Sequence, residues 1–153
     1  MKVLVDIDGT LAKFSLFGKI LLKLPLLNKF GVRYPNNLFK RIVVFLCSWT
    51  YGWVRKPNQD LISHLQILSR RGHTIYIFSA VPDISRQRKV IEKWLRAHKV
   101  PFKGIFLMQK NETPIEFKLR IVKKVKPDFV YEDSVLILEK ILEKHPYLIA
   151  RLP

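Results

Sequence analysis

A single cysteine, Cys47, excludes an internal disulfide framework and fits a reducing, cytoplasmic setting. The four histidines, His64, His73, His98 and His145, show no metal-ligand spacing, which argues against a zinc centre. No secretory leader is expected, because Met1-Lys2-Val3-Leu4-Val5-Asp6 turns acidic before an apolar stretch can develop. The longest apolar run, Ile42 to Trp53, is 12 residues, short of the roughly 20 a spanning helix needs. Acidic residues are scarce: 12 Asp and Glu against 28 Lys and Arg, a net charge of +16. Such an excess favours anionic partners, whether phosphorylated metabolites, nucleic acid or an acidic membrane surface.

The scarcity is uneven. Between Gly9 and Gln59 no acidic residue occurs, while Lys13, Lys19, Lys23, Lys29, Arg33, Lys40, Arg41, Arg55 and Lys56 supply nine positive charges. Elsewhere both signs are interspersed. At 153 residues, 48% of them hydrophobic, the chain has the size and apolar content of one packed domain. It divides into a body of residues 1–10 and 59–153 and a basic, apolar insertion of residues 11–58.

In the body, short apolar runs without strict alternation read as buried parallel strands: Lys2 to Asp6, Thr74 to Ser79, Gly104 to Met108, Asp128 to Tyr131 and Tyr147 to Arg151. Helical patterns separate them. Asn58 is placed to cap a helix bearing Leu61, Leu65 and Leu68 that ends at Gly72, and Asp83 to cap a second with Val90, Ile91, Trp94 and Leu95. Thr113-Pro114-Ile115-Glu116 is a capping box with proline at the first helical position, and Ser134 opens a fourth helix. Alternating strand and helix predict an α/β fold, a parallel, Rossmann-like sheet between two helical layers. Ligands of such sheets bind beyond the carboxyl ends of the strands, where Asp6, Ser79 and Glu132-Asp133 fall.

The insertion lacks clean strands. Leu16 to Leu27 and Leu38 to Trp53 look helical, separated by a turn region from Gly31 to Asn37. Phe14, Phe17, Ile20, Leu21, Leu24, Leu26 and Leu27, interleaved with Lys13, Lys19 and Lys23, have the composition of an interfacial helix at an anionic membrane. Packing into the insertion's own core or a dimer partner explains the same residues. Trp49, Tyr51 and Trp53 would suit base stacking, but no recognised nucleic-acid motif accompanies them. Oligomeric state is not legible.

Two carboxylates at i and i+2 after a buried strand do not both enter a core, since burying an unpaired charge is expensive. With Gly9 following, the chain can turn and let Asp6 and Asp8 address one polar site. Val3-Leu4-Val5-Asp6-Ile7-Asp8-Gly9-Thr10-Leu11 resembles the first motif of the haloacid dehalogenase-like (HAD) superfamily. Three further motifs occur in order: Ile75 to Ser79, an apolar strand closed by a hydroxyl residue; Lys118; and Phe129 to Asp133, a strand closed by an acidic pair. The resemblance covers residues 1–11 and about 58–151.

It implies a magnesium-dependent phosphatase acting on a small phosphorylated substrate. Asp6 would be the nucleophile and Asp8 the general acid, then base. Ser79, Ala80, Lys118, Gly9 and Thr10 would bind the phosphoryl group. Mg²⁺ would be held by Asp6, the Asp8 backbone carbonyl and Asp133, with Glu132 either supporting a metal-bound water from behind or serving as the ligand in place of Asp133. An aspartate at position 8 goes, in that superfamily, with phosphatases and phosphomutases rather than dehalogenases. A receiver domain, with a similar sheet, carries its phosphorylated aspartate on a later strand, and no later strand here ends in a lone Asp.

Ser79-Ala80, Arg86, Trp94 to His98, Pro101 and Glu132-Asp133-Ser134 are similar to the deoxyribonucleotidase-type branch, although Val81 stands where that branch often has arginine. Nucleotides, sugar phosphates and lipid phosphates all remain open as substrates. In such proteins an insertion after the first motif is a cap closing over the site, the role expected of residues 11–58. The alternative is a catalytically weak protein of this fold whose insertion binds membrane or nucleic acid.

Overall fold

Strand β1, Lys2–Asp6, is the central strand of the main sheet. A computed structural model describes residues 1–14 and 55–153. The helices expected over residues 16–27 and 38–53 lie outside the described residues. In chain order the elements are β1, β2 (Ala12–Phe14), β3 (Arg55–Pro57), α1 (Gln59–Arg70), β4 (Thr74–Pro82), α2 (Ser85–Ala97), β5 (Gly104–Met108), α3 (Pro114–Val125), β6 (Phe129–Tyr131), α4 (Val135–Lys144) and β7 (Ile149–Arg151).

Five strands form one sheet in the order β5-β4-β1-β6-β7, every pair parallel. The chain builds outward from β1 through β4 to β5, then crosses back to β6 and β7. Reversing direction moves the helices to the opposite face, because crossovers between parallel strands keep one hand. The side chains of β1 follow suit. Val3 and Val5 join the core with α1 and α2 (Leu61, Leu65, Ile91, Leu95), while Leu4 joins the core with α3 and α4 (Phe117, Ile121, Leu138, Ile141). Between β1 and β6 the direction switches, and ligands of open α/β sheets bind at such a point.

The helix starts follow from local chemistry. Asn58 accepts from Leu61 N, and α1 ends at Arg71 with Gly72 beyond it at φ +82°. Thr113 and Glu116 form the reciprocal capping box at α3.

Asp83 does not cap α2, whose N-cap is Ile84. Strand β4 runs on to Pro82, and Asp83 N donates to Met108 O, which ties Asp83 to the end of β5. Its carboxylate instead takes two hydrogen bonds from Arg88, at 3.2 and 2.8 Å. Ser79 consequently lies inside β4, at the last regular pair before the register with β5 shifts.

The expectation that the insertion lacks strands fails at its two ends. Ala12–Phe14 and Arg55–Pro57 pair antiparallel, with Ala12 opposite Pro57 and Phe14 opposite Arg55. Asn58 adds two ties, its N–H to Leu11 O at 2.8 Å and its side-chain amide to Thr10 O at 3.2 Å. The chain therefore leaves and re-enters the body at one place.

Candidate active site

The turn after β1 sets the first two carboxylates. Gly9 sits at φ +91°, where L side chains are strained, and its N–H donates to Ala12 O at 2.9 Å. Ala12 N in turn donates to Ile7 O at 2.8 Å. This tight reversal keeps Asp6 and Asp8 near the same sheet edge rather than on opposite faces.

Asp6 is almost fully buried, as are Lys118 and Glu132. Lys118 Nζ reaches across from α3, donating to Asp6 Oδ1 at 2.8 Å and to Glu132 Oε2 at 2.6 Å. The ammonium also lies 5.1 Å from the centre of the Phe78 ring, itself packed against Phe117. Sequence spacing suggested a lysine here; its burial in α3 separates it from solvated neighbours such as Lys123 and Lys124.

Asp6 Oδ2 is buried and has no hydrogen-bond partner among the described residues. A buried carboxylate oxygen left unpaired carries a substantial desolvation cost. Burial, opposed by Lys118 and reinforced by the charges of Glu132 and Asp8, holds the Asp6 carboxyl well above the ordinary carboxylate range. Burial raises Glu132 as well. Burial alone would lower Lys118, but the charges of Asp6 and Glu132 outweigh it and hold the ammonium above its usual value.

Asp133 completes the group. Ligand oxygens of Asp6, Glu132 and Asp133 lie within 4.8 Å of one another. Asp133 is exposed and packs on Gly9, where a β-carbon would fall 1.8 Å from Asp133 Oδ2. The donor set is all oxygen, as a hard divalent cation requires. Asp6, Asp8, Glu132 and Asp133 are four formal negative charges against the two positive charges of Lys118 and Arg55, so a divalent ion would neutralise the excess. The residues fit Mg²⁺.

Asp8 is held from two sides. Arg55 Nε donates to Oδ1 at 2.6 Å, and the Ser79 hydroxyl lies 3.4 Å from Oδ2. Sequence reasoning counted Arg55 only as one of nine cations in the insertion. The signal it lacked was the return of the chain as a strand beside residues 12–14, which carries Arg55 back to the site.

The structure thus brings together Asp6, Asp8, Gly9, Ser79, Lys118, Glu132 and Asp133. Thr10 is buried beside them in sequence, and its hydroxyl has no partner among the described residues. Ala80 packs its side chain against the core on the α3–α4 face, so any phosphate contact would come from its backbone.

No family model matches the sequence, and no curated protein matches it either. Solved structures do. A chain of the Pnkp1/Rnl/Hen1 complex superposes with a TM-score of 0.67 at 15% identity, covering 99% of this chain and 45% of that one. A chain of the Pnkp1/Rnl/Hen1 RNA repair complex gives 0.68 at 14% identity, with 99% and 42% covered. The present chain spans less than half the length of both. A beta-phosphoglucomutase from Thermotoga maritima gives 0.60 at 18% identity, covering 99% and 83%. A HAD-superfamily hydrolase from Ehrlichia chaffeensis gives 0.51 at 16%, covering 99% and 85%.

The fold is HAD-like. In this HAD-like sheet the four motif positions read from the sequence occupy the ends of β1 and β6, the last regular pair of β4, and the buried face of α3. At these identities the likeness concerns architecture, and the chemistry has to be argued from the side chains.

Proposed function

We propose that the protein is a Mg²⁺-dependent phosphomonoester hydrolase that works through an aspartyl-phosphate on Asp6. The observation that carries this is the buried Asp6–Lys118–Glu132 cluster in which Asp6 Oδ2 has no hydrogen-bond partner among the described residues. A carboxylate so placed is unfavourable for stability alone and suited to meeting an electrophile or a cation.

The Asp6 carboxylate attacks phosphorus, forming the acyl-phosphate bond as the bond to the leaving oxygen breaks. Asp8 gives its proton to that oxygen. Water then attacks the phosphorus of the intermediate, Asp8 takes the proton from it, and Asp6 and inorganic phosphate are released. Lys118 and the Ser79 hydroxyl offset charge on the phosphoryl oxygens, with the buried Thr10 hydroxyl and the backbone of Gly9 and Ala80 as further donors.

Asp6, Asp133 and the Asp8 carbonyl would hold Mg²⁺, which supplies charge neutralisation for the phosphoryl group. Glu132 is committed to Lys118 and fully buried, so Asp133, without a counter-ion among the described residues, is the better direct ligand.

The substrate is a small phosphorylated compound: nucleotide, sugar phosphate or lipid phosphate. Residues 11–58 are proposed as a basic cap over the site, with an anionic membrane surface as its second partner and nucleic acid a less favoured one. The +16 charge supports an anionic substrate.

The test is Mg²⁺-dependent release of phosphate from an aryl phosphate by the wild type, lost in Asp6→Asn and Asp8→Asn. Unaltered turnover in both variants would overturn the reading. A phosphate-release screen over sugar phosphates, nucleotides and lipid phosphates would then place the substrate.

A further inference from the structure

Arg55 and Asp8 are 47 positions apart in sequence, yet their ion pair is among the shortest polar contacts of the site. The arginine side chain is 12% exposed and that of Asp8 28%. Arg55 is carried by β3, whose partner β2 begins four residues after Asp8. The geometry fixes the carboxylate asymmetrically. Oδ1 is taken by the guanidinium at 2.6 Å, whereas Oδ2 faces the buried Ser79 hydroxyl at 3.4 Å, a long and weak contact.

We propose that Arg55 is the positioning residue of the reaction, anchoring Oδ1 of Asp8 so that Oδ2 is the oxygen that exchanges the proton with the leaving group. This rests on the reading of Asp8 as the general acid. Two things recommend the assignment. A free aspartate has broad freedom about its terminal torsion, and one charged anchor removes it. The anchor comes from the strand by which the insertion returns, so the acid is oriented only while both ends of the insertion are paired.

A positioned acid matters in proportion to how badly the leaving group needs a proton. In Arg55→Ala, kcat/KM for phenyl phosphate should fall about 10²-fold, the scale of general-acid assistance. With dinitrophenyl phosphate, whose leaving group departs without a proton, it should fall only a few-fold. Added guanidinium ion should restore part of the lost rate on phenyl phosphate. Lys56→Ala, one residue on and exposed, should leave the ratio of the two esters as in the wild type.

Equal losses on both esters in Arg55→Ala, with wild-type turnover intact, overturn the positioning role and leave the phosphatase reading standing. Absence of wild-type turnover on either ester overturns the phosphatase reading instead. The pair itself is then judged by hydrogen exchange of the ribbon amides in residues 12–14 and 55–57. Arg55→Ala and Asp8→Ala should each speed exchange, and the double variant no more than either. Unchanged exchange in both single variants overturns the anchoring.

Discussion

Gly9 and Asp133, 124 residues apart in sequence, are packed so closely that no side chain fits between them: a β-carbon on Gly9 would lie 1.8 Å from Asp133 Oδ2. Gly9→Ala therefore has two costs, displacement of Asp133 and a non-glycine residue at φ +91°. The backbone term alone is about 1–2 kcal/mol. The expected outcome is a lower Tm together with weakened Mg²⁺ binding, read by thermal unfolding with and without the ion. A variant with native Tm and native Mg²⁺ response would contradict this packing.

Lys118 is the counter-charge for two buried carboxylates. Removing one partner of a buried ion pair costs about 3–5 kcal/mol. Lys118→Met should be destabilised on that scale in EDTA and less so in millimolar Mg²⁺. Adding Glu132→Gln should recover part of the loss, because one orphaned charge goes with it. Chemical denaturation of the single and double variants checks both statements; additive losses would show that the cluster is not coupled.

Metal removal separates the two acidic residues that follow β6. Mg²⁺ should raise the Tm of the wild type in a concentration-dependent way, as any ligand specific to the folded state does. Asp133→Asn should abolish the rise while leaving the metal-free Tm nearly unchanged, since Asp133 is exposed and unpaired among the described residues. Glu132→Gln should lower the metal-free Tm and retain a rise. The opposite pattern would make Glu132 the ligand.

The start of α3 gives a pH signature. Hydrogen bonds from Arg120, opposed by partial burial and aided by the Gln109 N–H, hold Glu112 below its ordinary 4.5. The Thr113 backbone N–H and hydroxyl hold Glu116 below 4.5. Acids with lowered folded values stabilise fully above the unfolded value and lose that contribution as pH falls through the folded one. Wild-type Tm should consequently drop below about pH 4.5 more steeply than that of a Glu112→Gln/Glu116→Gln variant. Parallel Tm curves between pH 7 and 3 would rule this out.

Most of the frame was legible because each element carries its own signal. The apolar strands, Asn58, Gly72 and the Thr113–Glu116 box are local features with local causes. The candidate site was legible where chemistry leaves a fingerprint, as in Asp6-Ile7-Asp8-Gly9 and Glu132-Asp133, which the structure brings to one sheet edge.

What escaped depends on distant partners. Asp83 has the chemistry of a cap, but Arg88 and the backbone of β5 compete for it and win. Lys13 and Lys56 look like solvated cations and give no hint that they face each other across a two-stranded ribbon. Arg55 was hidden for the same reason.

The ribbon has one more consequence. Because Phe14 and Arg55 are neighbours in an antiparallel pair, the forty residues between them form a closed detour from a two-point socket. A two-residue Asn-Gly turn has the geometry to bridge that gap. A variant in which such a turn replaces residues 15–54 should therefore keep the register of every strand in the parallel sheet.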